Sequence, residues 1–403
     1  MKKLTLLFTF SFCLYTFVFP QQYGWTDISA NLPEYSNYND VHVIGDEIWI
    51  TGWNDGLIYT PDGGETFQIQ TLPENSGISS SVFMKNNQDG YVVTFNGKIL
   101  KTDDGGTNWY LLHDPGGTLN SVHFPPSSST GYTCGENGKV YSFSNTAFDI
   151  ADISPAGIVS SLQSISFPVD TSEGKLCGQN IIRRYLSGSW DNLQFFDNGF
   201  LYNSIFFTDN STGWVVGSHG KLFKTIDGLS WLPQTSNTTS NLNDVFFIDS
   251  MIGWAAGSGV LLHTVDGGLN WTQELTIQTE GKELRAIYFI SPHNGYVVGN
   301  DVVLKYGIIS GMSNGVEAVP FEIFPNPASS VVKLARMGLQ STVFSQQSTV
   351  VEIYDLHGRK LLEKHFPAGT EEIEVDVSNL ASGVYGCRLS TENKSVTKKI
   401  IVK

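Results

Sequence analysis

Carboxylates stand at recurrent points along this 403-residue chain, and a suitably separated pair is enough to hydrolyse a neutral glycosidic bond. Asp40, Asp55, Glu136, Asp244 and Asp301 are the candidates for such a pair. At equivalent points of successive segments lie Trp53, Asn54, Phe95, Asn96, Asn137, Gln179, Asn180, His219, Ser258 and Asn300. Asn120, Asn203 and Arg285 stand at the starts of further segments. Such a mixture can stack on a sugar, satisfy its hydroxyls, or receive a basic loop of a protein. Taken singly, each reads first as a solvated or turn residue, so a binding role depends on convergence. His42, His113, His123, His219, His263 and His293 show no metal-ligand spacing such as H-E-x-x-H, so no metal or cofactor is expected.

The elements that must bring these residues together are repeats. Trp25, Phe67, Trp109, Phe148, Trp190, Trp231 and Trp271 recur at gaps of 39 to 42 residues. That period fits a four-stranded propeller blade, a unit that cannot bury its apolar faces alone. Seven second strands can be counted: I-W-I-T-G at 48–52, G-Y-V-V-T at 90–94, G-Y-T-C-G at 131–135, G-K-L-C-G at 174–178, G-W-V-V-G at 213–217, G-W-A-A-G at 253–257 and G-Y-V-V-G at 295–299. The last copy stops after its third strand, and the segment around Trp25 supplies one strand too many at the start. Pairing the two closes the ring and removes its sheet edges. The fold expected is all-β: a seven-bladed β-propeller followed by a small β-sandwich.

A turn motif joins third to fourth strands: T-P-D-G-G-E-T-F at 60–67, T-D-D-G-G-T-N-W at 102–109, T-V-D-G-G-L-N-W at 264–271, and the shortened T-I-D-G-L-S-W at 225–231. Its aspartates, Asp62, Asp104, Asp227 and Asp266, can accept bonds from turn amides, and its glycines allow positive φ. The closing Phe67, Trp109, Trp231 and Trp271 can pack between blades. These are read as structural latches rather than catalytic or calcium-binding groups, on the face opposite the usual propeller binding surface.

Lys2 and Lys3 precede an apolar run from Leu4 to Phe19, shorter than a span of roughly 20 residues, so residues 1–22 read as a cleaved signal peptide. No integral membrane segment is expected in the mature protein. Residues 23–309 form the propeller, 310–319 a Gly-, Ser- and Asn-containing linker, and 320–403 the sandwich, with His357-Gly358 at a hairpin turn. Residues 21–315 carry a net charge of −17 and residues 316–403 a net charge of zero, so the ring should repel nucleic acid. Cys134 and Cys177 occupy the same point of successive repeats and are read as buried thiols rather than a disulfide.

The repeat copies resemble the Asp-box, or BNR, repeat, and most closely the propellers of the photosystem II assembly and stability factor family. The C-terminal segment, with P-N-P at 325–327, I-Y-D-L-H-G-R-K-L at 353–361, L-A-S-G-V-Y-G-C-R-L at 380–389 and K-K-I-I-V-K at its end, resembles the type IX secretion system sorting domain of Bacteroidetes. The first resemblance implies a propeller; it does not single out a ligand, because sialidases, other glycosidases, receptors and assembly factors share it. A sialidase needs converging arginines, and the propeller has only Arg183, Arg184 and Arg285, the first two adjacent on a strand and so expected to face opposite ways. The second resemblance implies the type IX secretion machinery as a partner, and delivery to the outer cell surface or the medium. The resulting expectation is an exported, non-catalytic recognition propeller for an extracellular glycan or a surface protein. A secreted hydrolase of neutral polysaccharide and a non-binding scaffold are the alternatives.

Overall fold

The computed structural model describes residues 23–33, 37–52, 56–145, 149–191, 199–274, 281–308, 321–324, 330–336, 349–354, 359–367, 373–391 and 394–402. The leader at 1–22, Phe148, the linker at 310–319, the P-N-P run and His357-Gly358 lie outside the described residues. The chain divides into two compact units at Ile309 and Ser310.

The first unit contains seven four-stranded antiparallel sheets, six of them built from four consecutive strands. The seventh combines both ends of the unit. Tyr23–Asp27 pairs with Val302–Ile308, placing Trp25 opposite Tyr306, and the sheet continues through Asn294–Gly299 to Leu284–Ser291. The ring is a seven-bladed β-propeller closed by its N-terminal strand.

Second strands are buried throughout, as in Gly90–Thr94, Gly213–Gly217 and Gly253–Gly257, because each blade is covered by a neighbour on both faces. Their aromatic residues stack on the first strand of the next blade. Trp214 lies 3.5 Å from Phe247, Trp254 3.6 Å from Phe289 and Tyr132 3.7 Å from Phe167, each pair nearly parallel. The recurring G-x-x-x-G spacing has a steric cause. A Cβ on Gly253 would meet the Phe247 ring at 2.4 Å, and one on Gly257 would meet the Asn241 carbonyl oxygen at 2.0 Å. Trp231, Trp271 and Trp25 each sit edge-on, 5.8 Å from Phe207, Phe247 and Phe289 respectively, so Trp25 fills in the last blade the place its counterparts fill in the fifth and sixth.

The second unit packs two sheets face to face. One holds Phe321–Phe324, Val331–Arg336 and Ile373–Asp376; the other holds Lys360–Phe366, Thr349–Tyr354, Gly383–Thr391 and Lys394–Val402. Val332, Ile373 and Val375 from the first meet Val351, Ile353, Cys387, Leu389 and Ile400 from the second in one buried core, which makes the unit a β-sandwich. Cys134, Cys177 and Cys387 are all free and buried. No helix among the described residues is long and apolar enough to cross a membrane.

Candidate functional site

A cavity of about 1000 Å³ runs down the axis of the ring and is lined by the first strand of every blade. Each of those strands bulges after its first residue, with register slips from Tyr38 to Asp40, Leu242 to Asp244 and Leu284 to Ala286 among the seven. A bulge lets two successive side chains leave the sheet on one side. The channel wall is therefore built in three tiers.

The outermost tier is Asn39, Ser80, Asn120, Gln163, Asn203, Asn243 and Arg285. The side-chain NH2 of Asn120, Asn203 and Asn243 donates to the next blade, to the carbonyls of Leu162, Leu242 and Leu284 at 2.7, 2.8 and 2.7 Å. Their side-chain carbonyl oxygens have no protein partner among the described residues. Arg285 donates to Asn39 Oδ1 at 2.8 Å and lies 3.9 Å from Glu283.

The middle tier is Asp40, Ser81, Ser121, Ser164, Ser204, Asp244 and Ala286. Asp40, Ser81, Ser164, Ser204 and Asp244 clamp adjacent blades. Asp40 accepts from Ser81 Oγ at 2.7 Å and from the Val82 amide at 3.0 Å. Asp244 accepts from Ser204 Oγ at 2.6 Å and from the Ile287 amide at 2.8 Å. Each also accepts from the amide that follows it, Val41 or Val245. Burial in the ring raises the Asp40 carboxyl. It pushes Asp244 up to about 7, against the bonds from Ser204 and the neighbouring amides, and the charge of Asp40 adds to the shift.

The inner tier is aromatic. Proceeding round the ring from Phe206, ring centroids are separated by 4.9 Å to Phe246, 5.0 Å to Tyr288, 4.8 Å to His42, 4.9 Å to Phe83 and 5.5 Å to His123. Ser166 takes the equivalent place in the fourth blade. Burial pushes His42 down to about 3, with His123 adding to the effect, and His123 itself down to about 4. Both imidazoles are neutral at pH 7. His123 Nε2 lies 3.0 Å from the Phe167 carbonyl of the next blade.

Of the residues singled out in the sequence, Asp244 and Arg285 line this channel, as do Asp40, Asn120 and Asn203. Gln179 and Asn180 border a separate pocket of about 380 Å³ with Ser161, Gln163, Phe200 and Ser218. His219 lies beside it, its ring edge-on to Phe200 at 5.8 Å. Phe95, Asn96, Glu136, Asn137, Ser258, Asn300 and Asp301 lie on second-to-third-strand turns outside the channel lining. Asn137, Asn180, His219 and Asp301 take φ of 56°, 57°, 59° and 51°, so the backbone of the turn accounts for the Asn and Asp residue types. Trp53, Asn54 and Asp55 lie outside the described residues. The inner aromatic tier and the serines of the middle tier were missed by sequence reading.

The opposite end of the ring carries the turn motifs. Asp266 Oδ1 accepts from Thr264 Oγ1 and the Asn270 amide, both at 2.9 Å, while Asn270 Nδ2 donates to its other oxygen at 2.7 Å. Asp62 and Asp104 repeat that arrangement with Thr66 and Asn108; Asp227 accepts from the Leu229 and Ser230 amides instead. The bonds donated by Thr66 hold the Asp62 carboxyl down to about 2 although it is only half-buried. Carbonyls of the same turns receive donors from the preceding blade. Lys305 reaches Gly63 at 2.8 Å, Trp49 reaches Gly105 at 3.1 Å and Lys224 reaches Gly267 at 2.8 Å. Trp109, Trp231 and Trp271 are buried and Phe67 half-buried.

Arg183 and Arg184 lie on the third strand of the fourth blade, Ile181–Leu186. Both reach Asp191 just beyond the blade edge, Arg183 at its carbonyl and Arg184 at its carboxylate. The short outer strand, Ser189–Trp190, lets both long side chains meet at its end. Neither lines the channel, so among the described residues no arginine cluster of the sialidase kind forms there.

Residues 232–307 match the photosynthesis system II assembly factor YCF48 family. YCF48 from Cyanidioschyzon merolae superposes with a TM-score of 0.58 at 20% identity, covering 70% of this chain and 98% of that one. A structure of YCF48 bound to D1 peptide gives 0.59 at 21% identity, covering 70% of this chain and 96% of that one. The ring shares the fold of these YCF48 propellers. C-terminal to the propeller in the sequence, residues 322–403 match the secretion system C-terminal sorting domain, which marks the chain for export. A comparison with curated protein sequences returned no match.

Proposed function

We propose that the protein is an exported, non-catalytic recognition propeller that binds a segment of an extracellular polypeptide at the mouth of its channel. The observation that carries this reading is the outermost tier. Asn120, Asn203 and Asn243 spend their NH2 groups on holding blades together and present unpaired carbonyl oxygens around an opening that leads into about 1000 Å³. Such a rim suits the amide and ammonium donors of a peptide. The likeness to a YCF48 bound to a peptide supports the same class of ligand. The middle-tier carboxylates, the best remaining pair for glycoside hydrolysis, are each committed to two backbone amides and a serine, which suits a clamp better than an acid/base couple.

The C-terminal unit serves type IX export to the cell surface or the medium, and residues 320–403 are removable without loss of the propeller. Deleting them is expected to leave a folded propeller stranded in the periplasm; unchanged surface delivery would overturn that role. For recognition, the full chain is to be probed in parallel with peptides shaved from bacterial cell surfaces and with a glycan array. Saturable peptide binding lost in Asn203→Ala/Asn243→Ala is the expected result. Binding confined to glycans would replace the polypeptide, and silence on both would leave a scaffold.

A further inference from the structure

Acceptors without a counter-charge stand at two levels of the channel. Its mouth offers the amide oxygens of Asn120, Asn203 and Asn243, and its middle tier offers Asp40 and Asp244. Neither carboxylate makes an ion pair among the described residues. The cations that line the cavity are already engaged: Arg285 on Asn39 and Glu283, and Lys85 at the far end, 5.3 Å over the Phe124 ring. His42 and His123 are neutral at pH 7. The wall thus holds two carboxyl groups with no ion-pair partner, Asp244 part-protonated at neutral pH because burial and Asp40 raise it, directly above a collar of Phe206, Phe246, Tyr288, His42, Phe83 and His123.

Aromatic faces attract cations, most strongly where water is thin, and weakly hydrated organic cations gain most. Neighbouring centroids near 5 Å imply a collar roughly 11 Å across between opposed ring centres, too narrow for an α-helix of about 10–12 Å with side chains once the rings' own thickness is removed. An unbranched alkyl chain fits that opening. The ring's surplus of acidic groups disfavours an anion, and a neutral sugar would bring no counter-charge to the Asp40 and Asp244 pair.

We propose that the channel is a binding site for an alkylammonium group, whose charge settles between Asp40 and Asp244 and whose methylenes lie against the aromatic collar. A lysine side chain and a free amine share that chemistry. The proposal leans on the recognition reading only for the polypeptide as the source of the lysine.

Ligand-detected NMR titration of the full chain tests it with three probes: Nα-acetyl-lysine methylamide, n-butylamine, and the Nε-acetylated form of the lysine probe. The two ammonium probes are expected to bind and the acetylated one to bind at least about tenfold more weakly. Asp244→Ser and Phe246→Leu should each weaken the ammonium probes about tenfold. Serine already occupies the Asp244 tier in four blades, and melting curves of both variants report whether the ring survives. Tighter binding of the lysine probe than of butylamine identifies a polypeptide as the source, and equal binding a small amine. Equal binding of the acetylated probe, no binding of either amine, or full affinity in both folded variants would overturn the site. Should the ammonium probes fail while surface peptides still bind, this inference falls and the recognition reading stands.

Discussion

The two ends of the ring use the same kinds of residue to opposite effect. At the turn-motif end, Asp266 accepts from Thr264 and twice from Asn270, and the Gly267 carbonyl accepts from both Trp214 and Lys224. At the channel mouth, Asn203 and Asn243 spend one half of each amide on the neighbouring blade and leave the other half exposed to the opening. The saturated turn groups hold the fold, whereas the half-satisfied amides of the mouth remain available to a ligand. Sequence position alone does not separate the two, since aspartates and asparagines recur at both ends.

The sharpest way to break this contrast is to break the ring itself. Removing Tyr23–Asp27 exposes the edge of Val302–Ile308. The truncated protein should aggregate or oligomerise on size-exclusion chromatography; a monodisperse monomer with an unchanged melting temperature would refute closure as the source of stability. Next comes Trp214→Ala, which removes a fully buried ring stacked on Phe247 and should cost about 3–5 kcal/mol in denaturant unfolding. Asp266→Ala should cost about 1–2 kcal/mol by leaving turn amides unpaired. At the other end, the exposed Gln179→Ala should stay within about 0.5 kcal/mol. If those last two variants were equally destabilised, the division between structural and available polar groups would fail.

Acid sensitivity gives a finer test. His42 and His123 titrate in the folded ring near 3 and 4, below their ordinary 6.5, so the folded state resists protons that the unfolded chain accepts. Their contribution is fully present above pH 6.5 and declines as pH falls from there toward 4. Asp244 works in the other direction. With its carboxyl raised to about 7, the folded state binds a proton that the unfolded chain releases, and it gains relative stability as pH falls from 7 toward 4. The two imidazoles should dominate. His42→Phe/His123→Phe, which copies the aromatic residue of the second, fifth and sixth blades, should therefore narrow the fall in melting temperature between pH 7 and pH 5. An identical fall in the variant would remove the imidazoles as its cause.

Much of the architecture was legible because blade stacking imposes a period. G-W-V-V-G and G-W-A-A-G are hydrophobic on both faces with glycines where a first-strand ring and carbonyl intrude, and the unmatched strand at Trp25 required a partner at the other end. The channel was less legible. Strict alternation sends Asn243 and Asp244 to opposite faces, but the bulge in front of Asp244 turns both into the cavity, and no residue type in that stretch announces it. The aromatic collar was visible only as a column through the aligned repeats, since Phe246 alone reads as core. Asn137, Asn180, His219 and Asp301 drew attention as polar loop residues, whereas a positive φ suffices to explain the asparagines and the aspartate.

The last blade has a temporal consequence. Its outer strand is the first piece of the described chain to be made, and its third strand, Val302–Ile308, is the last piece of the propeller. Six blades can therefore assemble while the seventh waits, and the circle seals only when the whole ring sequence is present. An incomplete product keeps an unpaired strand edge on display, so a truncated chain differs from a finished one in an exposed, pairing-competent edge.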